Sequence, residues 1–169
     1  MIYLIGGATH AGKTLCAQRL LEKHHIPYLS LDHLKMGLIR SGNTDLTVYD
    51  DEKLTDYLWP ITREIIKTAL ENGQNLTVEG CYIPYTWQED FTEEERKQIR
   101  CYWLILAPEY IENHFEDIRK YACVIEQRLD DSDLDKENLI RENREILGNC
   151  QLHGCDYVLI RDQYQVDIP

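Results

Sequence analysis

The sequence predicts an α/β fold built on a mainly parallel five-stranded sheet. Three observations predict it. Short apolar runs of strand length alternate with segments of helical periodicity along the 169 residues. The first run leads straight into a glycine-bearing loop and then a helix, the start of a βαβ arrangement. No repeat, low-complexity stretch or interdomain linker interrupts the alternation, so residues 1–169 read as one domain.

The elements follow in order. Strand one spans about residues 2–6, where Ile2-Tyr3-Leu4-Ile5 is apolar throughout, as a strand buried on both faces should be. Helix one covers about 13–24, with Leu15, Cys16, Leu20 and Leu21 at helical spacing. Strand two is Tyr28-Leu29-Ser30-Leu31, ending at Asp32, and a helix follows over about 33–40. Ser41-Gly42-Asn43-Thr44-Asp45 is a run of turn formers. A longer amphipathic helix spans about 51–72 on Leu54, Leu58, Ile61, Ile65, Ile66 and Ala69, with Gly73 placed to cap it. Pro60 inside it predicts a kink or break near Trp59. Strand three is Asn75-Leu76-Thr77-Val78, followed by Glu79-Gly80; the acidic stretch Glu89 to Arg100 reads as a short solvated helix. Strand four is Cys101 to Leu106, and Pro108 opens a helix to about 127. A polar turn at 130–133, a helix from about Asp135 to Cys150 and strand five, Tyr157-Val158-Leu159-Ile160, complete the chain.

The loop between strand one and helix one is Gly7-Ala8-Thr9-His10-Ala11-Gly12-Lys13-Thr14, which fits G-x-x-x-x-G-K-[ST]. Each residue type has a physical task. The glycines admit backbone conformations that a Cβ forbids. The loop N–H groups can then wrap a phosphate, and the helix adds its unpaired N–H groups and positive dipole end. Lys13 reaches the β- and γ-phosphates, and the Thr14 hydroxyl binds Mg²⁺. The strand–loop–helix context is the one the motif requires. ATP and Mg²⁺ are therefore the expected donor and metal.

In parallel α/β sheets ligands bind beyond the carboxyl ends of the strands. Asp32, directly after strand two, is placed to accept an acceptor hydroxyl's proton or orient that hydroxyl; the alternative is a helix N-cap. Lys35 lies one turn on and can face the same pocket, and Arg40 follows; a solvated helix face is the alternative for both. Glu79 is a candidate for Mg²⁺ through water or for a substrate hydroxyl, or it ends its strand in solvent. Gly80 would let a ligand approach the backbone. Tyr82, Tyr85 and Trp87 either line an acceptor pocket or pack the loop onto the core. Arg119, Arg128, Arg141 and Arg144 surround the polar turn. Guanidinium groups there can neutralise a transferring phosphoryl group, or else pair with Glu137, Glu142 and Glu145 on the surface.

A net charge of −12, from 30 acidic against 18 basic residues, argues against nucleic acid or an anionic membrane as the main partner. No signal-peptide pattern and no run of eighteen apolar residues is present, so a cytoplasmic location is expected. Six dispersed cysteines in mostly apolar surroundings suit buried thiols in a reducing compartment. Cys150-x-x-His153-x-Cys155 lacks a second ligand pair at zinc-site spacing.

The loop Gly7–Thr14, the segment Leu29 to Leu38 and Val78-Glu79-Gly80-Cys81-Tyr82-Ile83-Pro84 resemble the small P-loop kinases. That group includes adenylate, shikimate and gluconate kinases, chloramphenicol phosphotransferase, zeta-toxin kinases and 2-phosphoglycerate kinase. The E-G-x-x-I-P and D-x-[LI]-[KR] pieces look most like the 2-phosphoglycerate kinase branch. The resemblance implies a three-layer fold with strand order 2-3-1-4-5 and a helical lid near 119–135. It implies Asp32 as the acceptor-side base, and Arg128-x-Asp130-Asp131 is similar to the lid of adenylate kinases. The Thr-Gly-[Asp/Glu]-[Met/Leu]-Leu-Arg segment of nucleoside-monophosphate sites is absent, which speaks against AMP as acceptor.

The expectation is an ATP-dependent kinase of a small hydroxyl-bearing metabolite, acting as a monomer or homodimer. Lys13, Asp32 and Arg128 are its catalytic candidates, and Asp32, Lys35, Glu79 and Tyr82 its acceptor contacts. The alternatives are a nucleotide kinase, a nucleotide-binding regulator without phosphotransfer, and a zeta-like toxin acting on a sugar nucleotide.

Overall fold

The computed structural model describes residues 1–121 and 134–168. Its sheet has five parallel strands in the order β2-β3-β1-β4-β5. These are β1 (Ile2–Gly7), β2 (Tyr28–Ser30), β3 (Leu76–Glu79), β4 (Ile99–Leu106) and β5 (Tyr157–Ile160). The helices are α1 (Lys13–His24), α2 (Leu31–Arg40), α3 (Asp51–Glu71), α4 (Glu93–Arg96), α5 (Pro108–Tyr121) and α6 (Lys136–His153), with a 3₁₀ turn at Trp87–Asp90.

Both faces of the sheet are covered, and alternation along β4 shows how. Cys101, Trp103 and Ile105 enter one core with Leu31 of α2 and Leu54, Leu58 and Ile66 of α3. Leu104 and Leu106 enter the other, with Cys16 of α1, Tyr110 and Ile111 of α5 and Leu139 of α6. A period-2 pattern apolar at every position needs partners on both sides, which gives three layers.

Several boundaries differ from expectation. β2 stops at Ser30, and Leu31 and Asp32 already belong to the first turn of α2. Glu79 is the last residue of β3, paired in register with Ile5 and Ser30. β4 starts two residues early: Ile99, 3% exposed, pairs with Ile2, so tertiary burial claims the end of the acidic stretch. Only Glu93–Arg96 of that stretch is α-helical, held by a capping box on Thr92 and Glu95. The N-cap of α2 is Ser30, not Asp32.

Pro60 does not break α3, which runs through it to Glu71. A proline in a helix interior costs roughly 3 kcal/mol, whereas each buried large apolar side chain returns about 1.5–3 kcal/mol. Leu54, Leu58 and Ile66 are fully buried, so packing wins. Pro60 and Asp56, four residues before it, are both exposed, which leaves water to satisfy the carbonyl that the ring cannot bond. Gly73 caps the helix as expected: at φ 62 it donates to Leu70 O, and Gln74 donates to Ala69 O, a Schellman pair.

Candidate active site

β1 delivers the chain into the glycine loop at the carboxyl edge of the sheet. Ala8 and Ala11 are fully buried and anchor the loop in the core. Gly12 takes φ 83 as the N-cap of α1, a left-handed conformation that favours glycine. A Cβ there would also collide with the Tyr164 hydroxyl, which lies 3.0 Å from the Ala11 carbonyl and 3.3 Å from that of Gly12. His10 sits at φ 59 without being glycine, its ring nitrogen Nδ1 3.1 Å from Thr9 Oγ1.

Lys13 is 8% exposed and its ammonium donates to the Ala8 carbonyl at 2.7 Å. Burial works against that charge, but the Cys81 side chain and the Glu79 and Asp32 carboxylates outweigh it and hold the group above the ordinary lysine range. Cys81 is exposed on the cleft, and desolvation among the neighbouring groups pushes its thiol up.

Glu79 does not end its strand in solvent. It is 1% exposed and accepts a bond from Thr14 Oγ1 at 3.3 Å. The residue assigned to Mg²⁺ and the strand-three carboxylate therefore meet. Burial raises Glu79 above the usual carboxylate range, against the bonds from Ser30 and Thr14 and the Lys13 charge. The sign follows: an acid with a raised native pKa destabilises the fold when ionised, and regains stability as pH falls through that pKa toward its unfolded value. E79Q should therefore be more stable than wild type above that native pKa and lose its advantage as the medium is acidified. Urea unfolding of both proteins between about pH 5 and pH 8 measures this, and a pH-independent difference would refute it.

Beyond the loop lies a cavity of about 860 Å³, lined in part by Gly7, Thr9, Asp32, Lys35, Tyr82 and Glu142. Asp32 and Lys35, one turn apart on α2, form an ion pair at 2.6 Å. The Lys35 ammonium also donates to Tyr82 Oη at 2.9 Å, and that hydroxyl donates to Asp51 Oδ1 at 3.2 Å. Burial lowers the Lys35 pKa, but Asp32 and Tyr82 overcompensate, and it stays charged. Tyr82 is pushed up to about 12 by burial and remains a donor. Tyr85 also lines the cavity, stacked on Trp103 at 4.4 Å between ring centroids. Trp87 instead packs in the core against Phe91.

Gly80 serves packing. A Cβ on it would strike Leu31, so α2 rather than a ligand occupies the approach that was expected to be open. Arg40 is exposed at the end of α2 and does not line the cavity.

The three described lid arginines are not brought to the cavity. Arg119 is exposed and 3.8 Å from Glu116, Arg141 is exposed and 4.0 Å from Glu145, and Arg144 is exposed. Arg128 and most of the expected lid lie outside the described residues. The face of α6 turned to the cavity carries Glu142, Glu145, Ile146 and Asn149. That i, i+3, i+4, i+7 set was present in the sequence, one position away from the arginine pair that drew attention. Glu142 accepts the Thr9 backbone N–H at 3.2 Å, so a carboxylate rests on the glycine loop. Burial raises it as well, against that bond and Lys13.

No known family profile matches the chain, and no curated protein sequence does. Solved structures share its fold. A provisionally assigned kinase from Chloroflexus aurantiacus aligns with TM-score 0.56 at 16% identity, over 98% of this chain and 91% of that one. Shikimate kinase from Bacteroides thetaiotaomicron aligns at 0.54 and 14%, over 98% and 89%. Shikimate kinase from Acinetobacter baumannii, in complex with shikimate, aligns at 0.50 and 19%, over 97% and 84%. At these identities the likeness establishes the fold, and the strand order agrees with the one expected.

Proposed function

We propose that the protein is an ATP-dependent kinase that phosphorylates a hydroxyl of a small molecule held in the cavity between α2, α3 and α6. The observation that carries this reading is the junction of a complete phosphate loop, with Lys13 buried in it, and a cavity lined by Asp32. The solved kinases of this fold support it. The loop backbone and Lys13 hold the phosphates. The fit for a divalent metal rests on Thr14 and Glu79, whose oxygens already meet. Bound there, Mg²⁺ would supply charge neutralisation on the phosphate oxygens. Asp32 takes the proton of the acceptor hydroxyl as its oxygen forms a bond to the γ-phosphorus. The bond from that phosphorus to the β–γ bridging oxygen breaks, and ADP leaves with the electron pair. Lys35 orients Asp32. The test is ADP release that requires both Mg²⁺ and an acceptor; its absence across a broad panel of hydroxyl-bearing metabolites would favour a nucleotide-binding regulator.

Glu142 opposes the incoming nucleotide in this reading. Its carboxylate occupies the Thr9 N–H and sits near the loop. Removing one like charge at a partly screened distance is worth on the order of 1 kcal/mol. E142Q should therefore bind ATP roughly threefold to tenfold more tightly, as measured by calorimetry with a non-hydrolysable analogue. Weaker binding would instead mark Glu142 as part of the metal site.

A further inference from the structure

The cavity beside the phosphate loop draws its charged groups from three elements. Asp32 comes from α2, Asp51 and Glu52 from the first turn of α3, and Glu142 and Glu145 from α6. Against these five carboxylates, Lys35 is the one cation lining it among the described residues. Lys35 is already committed to Asp32 at 2.6 Å. Glu145 reaches Arg141 only at 4.0 Å, the outer limit of an ion pair, and that arginine does not line the cavity. Burial and, less strongly, Asp51 and Glu145 push Glu142 up, against the Thr9 bond and the Lys13 charge at the base of the loop.

Three aromatic residues share the lining. Tyr82, Tyr85 and Trp103 line the cavity, with the last two stacked. The Lys35 ammonium lies 5.0 Å from the Tyr82 ring centroid while bonded to Asp32 and to the Tyr82 hydroxyl. The protein thus holds one alkylammonium by a carboxylate, a phenol oxygen and a ring face. The rest of the lining offers four more carboxylates, while Tyr85 is stacked between Trp103 and His153 and its ring faces are taken. A lining with this excess of carboxylates is complementary to an organic cation and repels a carboxylate or phosphate.

Resting on the kinase reading above, we infer that the acceptor is a cation, a hydroxyl-bearing amine whose ammonium group sits among Asp51, Glu142 and Glu145. The phosphoryl group goes to its hydroxyl, with ATP as donor and Asp32 as the proton's destination. An acceptor already bearing a phosphate or a carboxylate is disfavoured.

The test uses three open-chain six-carbon polyols that differ in charge at neutral pH: glucamine (+1), sorbitol (0) and gluconate (−1). Binding to the full chain without nucleotide is read by saturation-transfer NMR, and ADP release is read separately with ATP and Mg²⁺. Glucamine should bind at least tenfold more tightly than gluconate and detectably more tightly than sorbitol. About 0.5 M salt should erode the preference, because exposed charges are then screened within a few ångströms. D51N and E145Q should flatten it while melting as wild type, since both positions are exposed. Gluconate binding equal to or better than glucamine overturns the inference, as does an equal response to all three, including none. Charge-ordered binding without ADP release would leave the cation assignment standing and count against the kinase reading.

Discussion

Replacing Lys13 by alanine should abolish ATP-dependent turnover, by about 10³-fold or more, and leave the fold intact. Both halves follow from its surroundings. The ammonium is buried at the base of the loop, tied to the Ala8 carbonyl, and surrounded by Cys81, Glu79 and Asp32. Lys35, the one lysine or arginine among the described residues that lines the cavity, is committed to Asp32, so nothing replaces Lys13 where phosphate charge must be met. Loss of a single preorganised donor costs roughly 10²–10³ in rate, and a full charge at the transferring group costs more. The partners of Lys13 outweigh the opposition of burial, so the variant should lose some stability, while the packing of α1 on the sheet through Cys16, Ala17 and Leu20 keeps the fold. Thermal melting separates the effects. ATP at about 100-fold its dissociation constant should stabilise wild type by roughly 2.7 kcal/mol, a rise of a few degrees. The same nucleotide should leave Lys13→Ala unmoved. An unchanged ATP shift in the variant would remove the phosphate loop from the proposed mechanism.

Asp32→Asn should cut kcat by about 10²–10⁴-fold while ATP binding stays within twofold or so of wild type. The side chain is half exposed, lines the cavity, and is held by Lys35. Asparagine keeps the shape and can still accept the Lys35 hydrogen bond, so the loss reports on proton acceptance rather than collapse of the pair. The split between the two readouts matters. A fall in nucleotide affinity with little change in kcat would place Asp32 on the donor side. A kcat within about threefold of wild type would reduce it to an orienting partner of Lys35.

The strand–loop–helix placement of Gly7 to Thr14 was legible because it is local: eight consecutive residues carry the turn, the cation and the hydroxyl. The Asp32–Lys35 pair was legible for a related reason, since three residues on a helix make one turn. Tyr82 and Tyr85 reach the cavity as one of their two readings allowed, while Trp87 takes the packing reading. The features decided by other elements share a different cause. Gly80 resembled a ligand-approach glycine, but Leu31, in another element, fills that space. For Glu79 the sequence left a site role and a solvated strand end both open, and parallel pairing with β1 and β2, which buries it, removes the second.

The sequence by itself determined the alternation of strands and helices, the glycine loop after β1 and which polar residues stand at the strand ends. Each of these is encoded by neighbours within a turn or a pleat, where 3.6 and 2.0 residue periods act. Only the tertiary structure decided what faces what across the cavity. Glu142 meets Thr9 over 133 residues of chain, and Tyr164 meets Ala11 over 153. The structure also chose the carboxylate face of α6 over its arginines. Adjacent helical positions differ by about 100° around the axis, and spacing alone does not say which stripe turns inward. That choice is made by packing: Leu139, Asn143 and Cys150 are buried on α6, and Asn143 bonds the Leu106 backbone at 2.8 Å, fixing the helix's rotation and with it the charge of the site.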